Sequence, residues 1–269
     1  VLKVGLLLNF GDDYKKASTH KNKLNYKFKF LHDRVQQASY ELVPIEKRNI
    51  IHFEIGKTIL QNLKDNPTHE SLFDIVDQLN YGLDLIETDE EKNQISQLFF
   101  KAGKQAKLSI AYNSSLDYLR KAYSLLSDNF WEVNYNFVYE CICELGEVEY
   151  LCGNFENADK YFSLGLDKSK TRLDKVKIYN LRVVLYTGQG EFHKAVKEGL
   201  EGLSQYEILV PEKLNDLQVF KEYKKLKTLL GEDPIQKITQ LPKLENPETL
   251  ALLKLLININ DSSYFIDRT

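Results

Sequence analysis

Gly56-Lys57-Thr58 has the residue types of a phosphate-binding loop: a glycine that admits backbone amides close to an anion, then a lysine to pair with it. The spacing denies it. Such a loop needs a second glycine five positions before Gly56, where Ile51 stands, and a strand ahead of it. The triplet lies instead in a run with Ile51, Ile55, Ile59 and Leu63 four apart, the pattern of an amphipathic helix. The histidines His20, His32, His52, His69 and His193 are scattered, with no second His or Cys at ligand spacing, so they do not read as a zinc site. Cys141, Cys143 and Cys152 sit among apolar neighbours, with nothing nearby to depress a thiol pKa, and read as core rather than nucleophiles. No carboxylate finds an acid–base partner. The expectation is a non-enzyme: no catalytic residue, no metal and no cofactor in this chain.

The charges have more pattern than the nucleophiles. Lys15, Lys16, Lys21, Lys23, Lys27 and Lys29 occupy a stretch with no acid between Tyr14 and His32. A basic wing could touch nucleic-acid phosphates. The preferred reading is a solvated hairpin tip and edge strand, where lysine blocks unwanted strand pairing. Residues 132–159 carry the opposite bias: Glu132, Glu140, Glu144, Glu147, Glu149, Glu156 and Asp159, with no Lys or Arg. The whole chain has a formal net charge of −3, which does not describe a nucleic-acid binder.

Hydrophobic residues make up 43%, enough for a core, and no stretch of 18 uncharged apolar residues offers a membrane span. The apolar opening Val1–Phe10 is too short for a secretory signal and lacks its layout. An odd set of three cysteines, two of them on different faces of one helix, fits a reduced, cytoplasmic setting. The chain contains no methionine and does not begin with one, so a piece of a longer protein is expected.

Residues 1–30 read as strands: an apolar run ended by Gly11-Asp12-Asp13, then Tyr26, Phe28 and Phe30 alternating with Lys27 and Lys29. From Leu31 onward everything reads helical, with Leu31, Val35, Ala38 and Leu42 on one face. Pro44 and Asp65-Asn66-Pro67 punctuate, and Asn246-Pro247-Glu248 is a helix start with Asn at the cap and Pro in the first turn.

The helical region repeats a single hairpin three times. The middle copy has Leu145-Gly146, then Gly153-Asn154-Phe155, Ala158, Phe162 and Gly165. The next has Gly190-Glu191-Phe192, Ala195, Gly199 and Gly202-Leu203. The earlier copy has Gly103, Ala111-Tyr112, Ser115, Leu119 and Ala122. The small residues Ser115, Ala158 and Ala195 stand 43 and then 37 positions apart, the period of a repeated supersecondary unit. Two antiparallel helices approach closely only where one face carries Gly, Ala or Ser.

These copies resemble tetratricopeptide repeats over residues 94–209. The sequence departs from that family at Val183, where a small first-helix residue belongs, at Ile110, in the place of the turn glycine, and at Lys170, about where the family's closing proline, lacking here, belongs. The resemblance implies an all-α superhelical array of antiparallel helix hairpins, here with a small N-terminal β-hairpin. It also implies a groove lined by the first helix of each hairpin. Mapping the repeat frame onto this chain puts Gln97, Phe100, Lys104 and Lys107 there from the first copy. The second contributes Glu140, Cys143, Glu147 and Tyr150, and the third Lys177, Asn180 and Val184.

A second resemblance covers residues 26–60. Phe30-Leu31-His32-Asp33-Arg34-Val35-Gln36-Gln37-Ala38-Ser39-Tyr40, with Arg48, Ile51-His52 and Ile55-Gly56, is similar to the segment after the nucleotide-binding module of bacterial signal-transduction ATPases with numerous domains. Some of those proteins carry serine/threonine kinase or histidine kinase domains. The resemblance implies the end of a winged-helix subdomain, with His32 and Asp33 facing the phosphates of a neighbouring module that would supply ATP and Mg. The plainer reading is a buried histidine bonded to backbone, with Asp33 capping a helical turn.

The expected organisation is a winged-helix remnant over 1–43, a linking helical hairpin over 44–93, repeats over 94–209 and C-terminal hairpins over 210–269. The expected function is protein–protein contact and regulation inside a multidomain signalling ATPase-kinase. The partner would be a protein, a peptide or a neighbouring domain. Two alternatives stay open: an inducer-sensing array of an ATPase-type transcription regulator, and the accessory half of a nucleotide-hydrolysing enzyme.

Overall fold

The computed structural model describes residues 7–9, 28–63, 69–210 and 215–266. The Lys15–Lys27 stretch lies outside them. The chain divides into two compact units, Val1–Thr88 and Asp89–Thr269. The fold is all-α, with helices packed as sequential hairpin pairs. The β-hairpin expected at the front reduces, among the described residues, to two three-residue strands, β1 (Leu7–Asn9) and β2 (Phe28–Phe30), paired antiparallel. Their connection lies outside the described residues.

In the first unit β2 leads into α1 (Asp33–Glu41), α2 (Ile45–Asn62) and α3 (His69–Leu79), closed by a 3-10 turn over Asn80–Leu85. Pro44 fixes the start of α2, as its missing N–H and set φ suit that place. Gly56 is the point where α2 meets α3: a Cβ there would stand 2.9 Å from Leu79. Its role is close packing, and Thr58 spends its hydroxyl on the carbonyl of Glu54 one turn back. The apolar face read along α1 is not a buried one, since α1 buries no residue and Leu42 is 84% exposed. The C-terminal end of α1 is tied to α2 through His52. The Tyr40 hydroxyl donates to His52 Nε2 (3.0 Å), Nδ1–H donates to Gln78 (2.7 Å), and Tyr81 stacks on the ring. Both ring nitrogens are thereby engaged.

The second unit holds three hairpins: α4 (Asp89–Leu108) with α5 (Tyr112–Ser124), α7 (Tyr135–Leu151) with α8 (Phe155–Lys168), and α9 (Arg172–Gly188) with α10 (Phe192–Ser204). The short α6 (Phe130–Val133) precedes α7. After α10 come α11 (Asp216–Leu230), α12 (Pro234–Thr239) and α13 (Pro247–Ile266), and α13 packs on both α9 and α10. The start of α13 is the expected one: Asn246 accepts the amide of Thr249.

One register governs all three hairpins. Gly103 faces Leu119, Gly146 faces Phe162 and Val183 faces Gly199, each pair sixteen positions apart. In the first two the small residue is on the first helix. In the third the sizes are exchanged: a Cβ on Gly199 would stand 2.2 Å from Ile259 of α13 and 3.3 Å from Val183, so Gly199 makes room for both. The space is tight: a Cβ on Gly146 would fall 2.5 Å from Phe162, and one on Gly103 2.6 Å from Leu119. Ser115, Ala158 and Ala195 are fully buried four positions before the second partner.

The turns are equally regular. Seven positions after Gly103, Gly146 and Val183, the chain takes a left-handed residue: Ile110 (φ 62), Gly153 (φ 80) and Gly190 (φ 76). The next amide then reaches back five residues, Ala111 to Ala106 (2.9 Å), Asn154 to Glu149 (2.8 Å) and Glu191 to Tyr186 (2.9 Å). This is the Schellman closure, which satisfies the last carbonyls of a helix. Ile110 adopts the glycine conformation without being glycine, a strained choice for a β-branched residue.

Candidate functional site

The first helices α4, α7 and α9 carry the residues assigned to a groove. Between α4 and α7 the charges close on each other. Lys104 binds Glu140 (2.6 Å), and Lys107 binds both Glu144 (2.5 Å) and Glu147 (3.1 Å). Burial alone would lower the Lys107 pKa, but hydrogen bonds and charge from Glu144 and Glu147 outweigh it and leave the value raised. The acidic run of α7 is thus matched inside the array. Glu149, 1% exposed, holds Arg120 of α5 (2.7 Å) and the amide of Asn154 (2.8 Å). On the second-helix side Arg182 joins Asp159 (2.9 Å) and Glu198 (3.0 Å), so α8, α9 and α10 share one guanidinium.

Further along, α7, α9 and α13 enclose a groove of about 650 Å3. Its apolar base is Tyr139, Cys143, Leu181, Leu250 and Ala251. Asn136, Lys177, Asn180 and Lys254 stand among the polar residues that line it. The wall is pre-set by its own bonds. The Tyr139 hydroxyl donates to the Asp174 carbonyl (2.6 Å), and Tyr135, stacked on Tyr139, donates to the Asp174 carboxylate (2.8 Å). Asp174 also closes a capping box with Thr171 at the start of α9. Asn258 of α13 donates to Asn180 Oδ1 (2.7 Å), and Thr187 meets Ser262 (2.6 Å), tying α13 to α9.

Burial pushes the Cys143 thiol up to about 12 and Tyr135 up to about 12, and it raises Tyr139 as well. Among the described residues, no group of three His, Cys, Asp or Glu is placed to hold a metal ion.

The residues mapped from the repeat frame divide accordingly. Glu140, Cys143, Lys177 and Asn180 line the groove. Phe100 does not offer an exposed ring: it is 6% exposed and packs edge-on to Phe137. Lys104, Lys107 and Glu147 serve the inter-hairpin ion pairs. Gln97 donates to Asn93 within α4 (3.4 Å). Tyr150 is half-buried against Phe155, with its hydroxyl where a Cβ on Gly188 would go. Val184 is 38% exposed and stands outside the groove lining. In the first unit His32 is exposed rather than buried, and its side chain makes no cap bond, although its carbonyl accepts from Val35 and Gln36. Asp33 lines a separate cleft with Phe30, Gln37 and Tyr40. The repeat frame does not reach Pro247, Leu250, Ala251 and Lys254, although the Asn246-Pro247 cap and the apolar spacing after it mark the helix that carries them.

No helix among the described residues is long and apolar enough to cross a membrane. No family model matches the chain. The chain is similar to the hybrid signal transduction histidine kinase G of Dictyostelium discoideum, 27% identical over 236 residues. The match covers 79% of this chain and 7% of that protein, so the chain spans a small part of its relative's length. The chain is thus a helical protein distantly related, over most of its length, to one segment of a signal transduction histidine kinase.

Proposed function

We propose that this chain is a non-catalytic protein-recognition and regulatory segment of a multidomain signalling protein, built on tetratricopeptide-like hairpins. The groove over α7, α9 and α13 carries the reading. It combines an apolar base with amide and lysine groups, and burial raises the Cys143 thiol within it. The common sixteen-residue register and the left-handed turns support the repeat frame. A partner lying in the groove touches three helices that belong to consecutive stacking units. It therefore stiffens their packing, and that is a way to pass a binding event along an array. ATP and Mg belong, on this reading, to another module of the signalling protein, and the setting is cytoplasmic.

The test is a displayed peptide library selected on the immobilised 269-residue chain. Selected peptides should lose at least about tenfold in affinity on Leu181→Asp, a loss of about 1.4 kcal/mol, and should be indifferent to Val184→Asp. Peptides that bind both variants alike would place recognition elsewhere. Turnover of ATP by the purified chain would refute the non-enzyme reading.

A further inference from the structure

We infer that α11 is a dimerisation helix that pairs in parallel with α11 of a second copy of this chain. The helix is built with care at both ends. Asn215 and Gln218 form a capping box, and Gly231 (φ 76) closes the C-terminus. Yet α11 buries no residue, and its described helix neighbour is the short α12. A 15-residue helix is marginal in water unless an apolar face is covered. That face exists: Val219, Tyr223 and Leu226 are each more than half exposed, Leu217, Phe220 and Leu229 are exposed beside them, and the half-buried Leu230 continues the stripe.

The spacing identifies the occupant. Val219, Tyr223, Leu226 and Leu230 recur at four, three and four residues, the alternation of a two-helix seam. In that heptad Glu222 takes the g position and Lys227 the e position. They are five residues apart, where g of one helix meets e of its partner in a parallel pair. The symmetry of two identical copies makes this contact twice with opposite charges. In the single chain Glu222 has an exposed neighbour, Lys225 (2.5 Å), a contact worth little. Lys221, Lys224 and Lys225 fall outside the seam. With half-exposed aromatic and aliphatic side chains on both copies, the faces offer on the order of 1,000 Å2, the lower end of a specific interface.

The test uses the whole 269-residue chain in sedimentation velocity, from about 1 to about 100 μM, the range of a micromolar interface. Wild type should pass from monomer to dimer. Tyr223→Asp with Leu226→Asp should stay monomeric with an unchanged melting temperature, because α11 adds nothing to the core. Glu222→Lys should weaken the dimer by about fivefold or more, and adding Lys227→Glu should restore it. Leu226→Cys should form a disulfide with the same position of the second copy, over the background of the native cysteines. The inference is overturned by a monomer at every concentration, including one that sediments with anionic vesicles instead. A dimer indifferent to the Asp pair, a charge exchange that fails to restore association, or a dimer in which Leu226→Cys gives no cross-link would each overturn it too.

Discussion

Arg120 of α5 places two nitrogens on a single oxygen of Glu149, at 2.7 and 3.0 Å, while that glutamate is sealed between hairpins. The arginine itself remains half exposed. The pair locks the first hairpin to the second at the turn where Asn154 takes the other carboxylate oxygen.

Removing Arg120 strands a buried charge. Arg120→Ala should destabilise the chain by about 3 kcal/mol, in the range for breaking a buried pair. Replacing both partners by leucine should recover much of that loss. Equilibrium urea unfolding of the two single variants and the double gives the coupling.

Two glycines separated by seven positions should fail for different reasons. A Cβ on Gly146 runs into Phe162, so Gly146→Ala should cost about 1–3 kcal/mol through overpacking. A Cβ on Gly153 meets nothing within 4 Å, so Gly153→Ala should cost about 1–2 kcal/mol through its left-handed backbone alone. Phe162→Ala should cost about 3–5 kcal/mol. Chemical denaturation ranks them. A Gly153 variant more damaging than Phe162→Ala would contradict the packing.

Ile110 invites the opposite change. It is 73% exposed and holds a φ of 62°, so little packing is lost on truncation. Ile110→Gly should stabilise by up to about 1 kcal/mol, as relief of strain exceeds the added freedom of the unfolded chain. The urea midpoint should rise with no change in slope.

Alkali should weaken the fold. Burial raises Cys141 and Cys143 to about 12 and Tyr135 to about 12, and Lys107 is raised by its acid partners. Each group has a folded pKa above its unfolded one. Its contribution is therefore whole below the unfolded value, about 8.5 for Cys and about 10 for Tyr and Lys, and is lost as pH climbs toward the folded value. Stability should hold from about pH 7 to about 8.5 and then decline. The phenolate absorbance of tyrosine should rise in two phases, the later one with unfolding.

Much of the array was legible in the sequence because close helix contact needs small residues, and these recur. Gly146 with Ala158 and Phe162 falls on packed α7 and α8 as the spacing implies. Val183 was legible as a departure but not as a compensated one, since its partner Gly199 is meaningful only once the two face each other. The groove was harder. A repeat frame says which side of each helix turns inward, but not how far one hairpin is displaced along the next. That displacement sets Lys104 and Lys107 on the acids of α7 and turns Phe100 onto Phe137. The third wall, α13, was obscured because α11 and α12 intervene between it and the hairpin it extends.

The pairing of lysines on α4 with glutamates on α7, and of Asp159 on α8 with Arg182 on α9, gives each hairpin an address. Excise the middle one and Lys104 and Lys107 lose their counter-charges, with Lys177 on the incoming helix to meet them. These units are therefore not interchangeable beads. Their order is written in charge, and a shuffled or shortened version would have to rewrite both neighbours of every junction it creates.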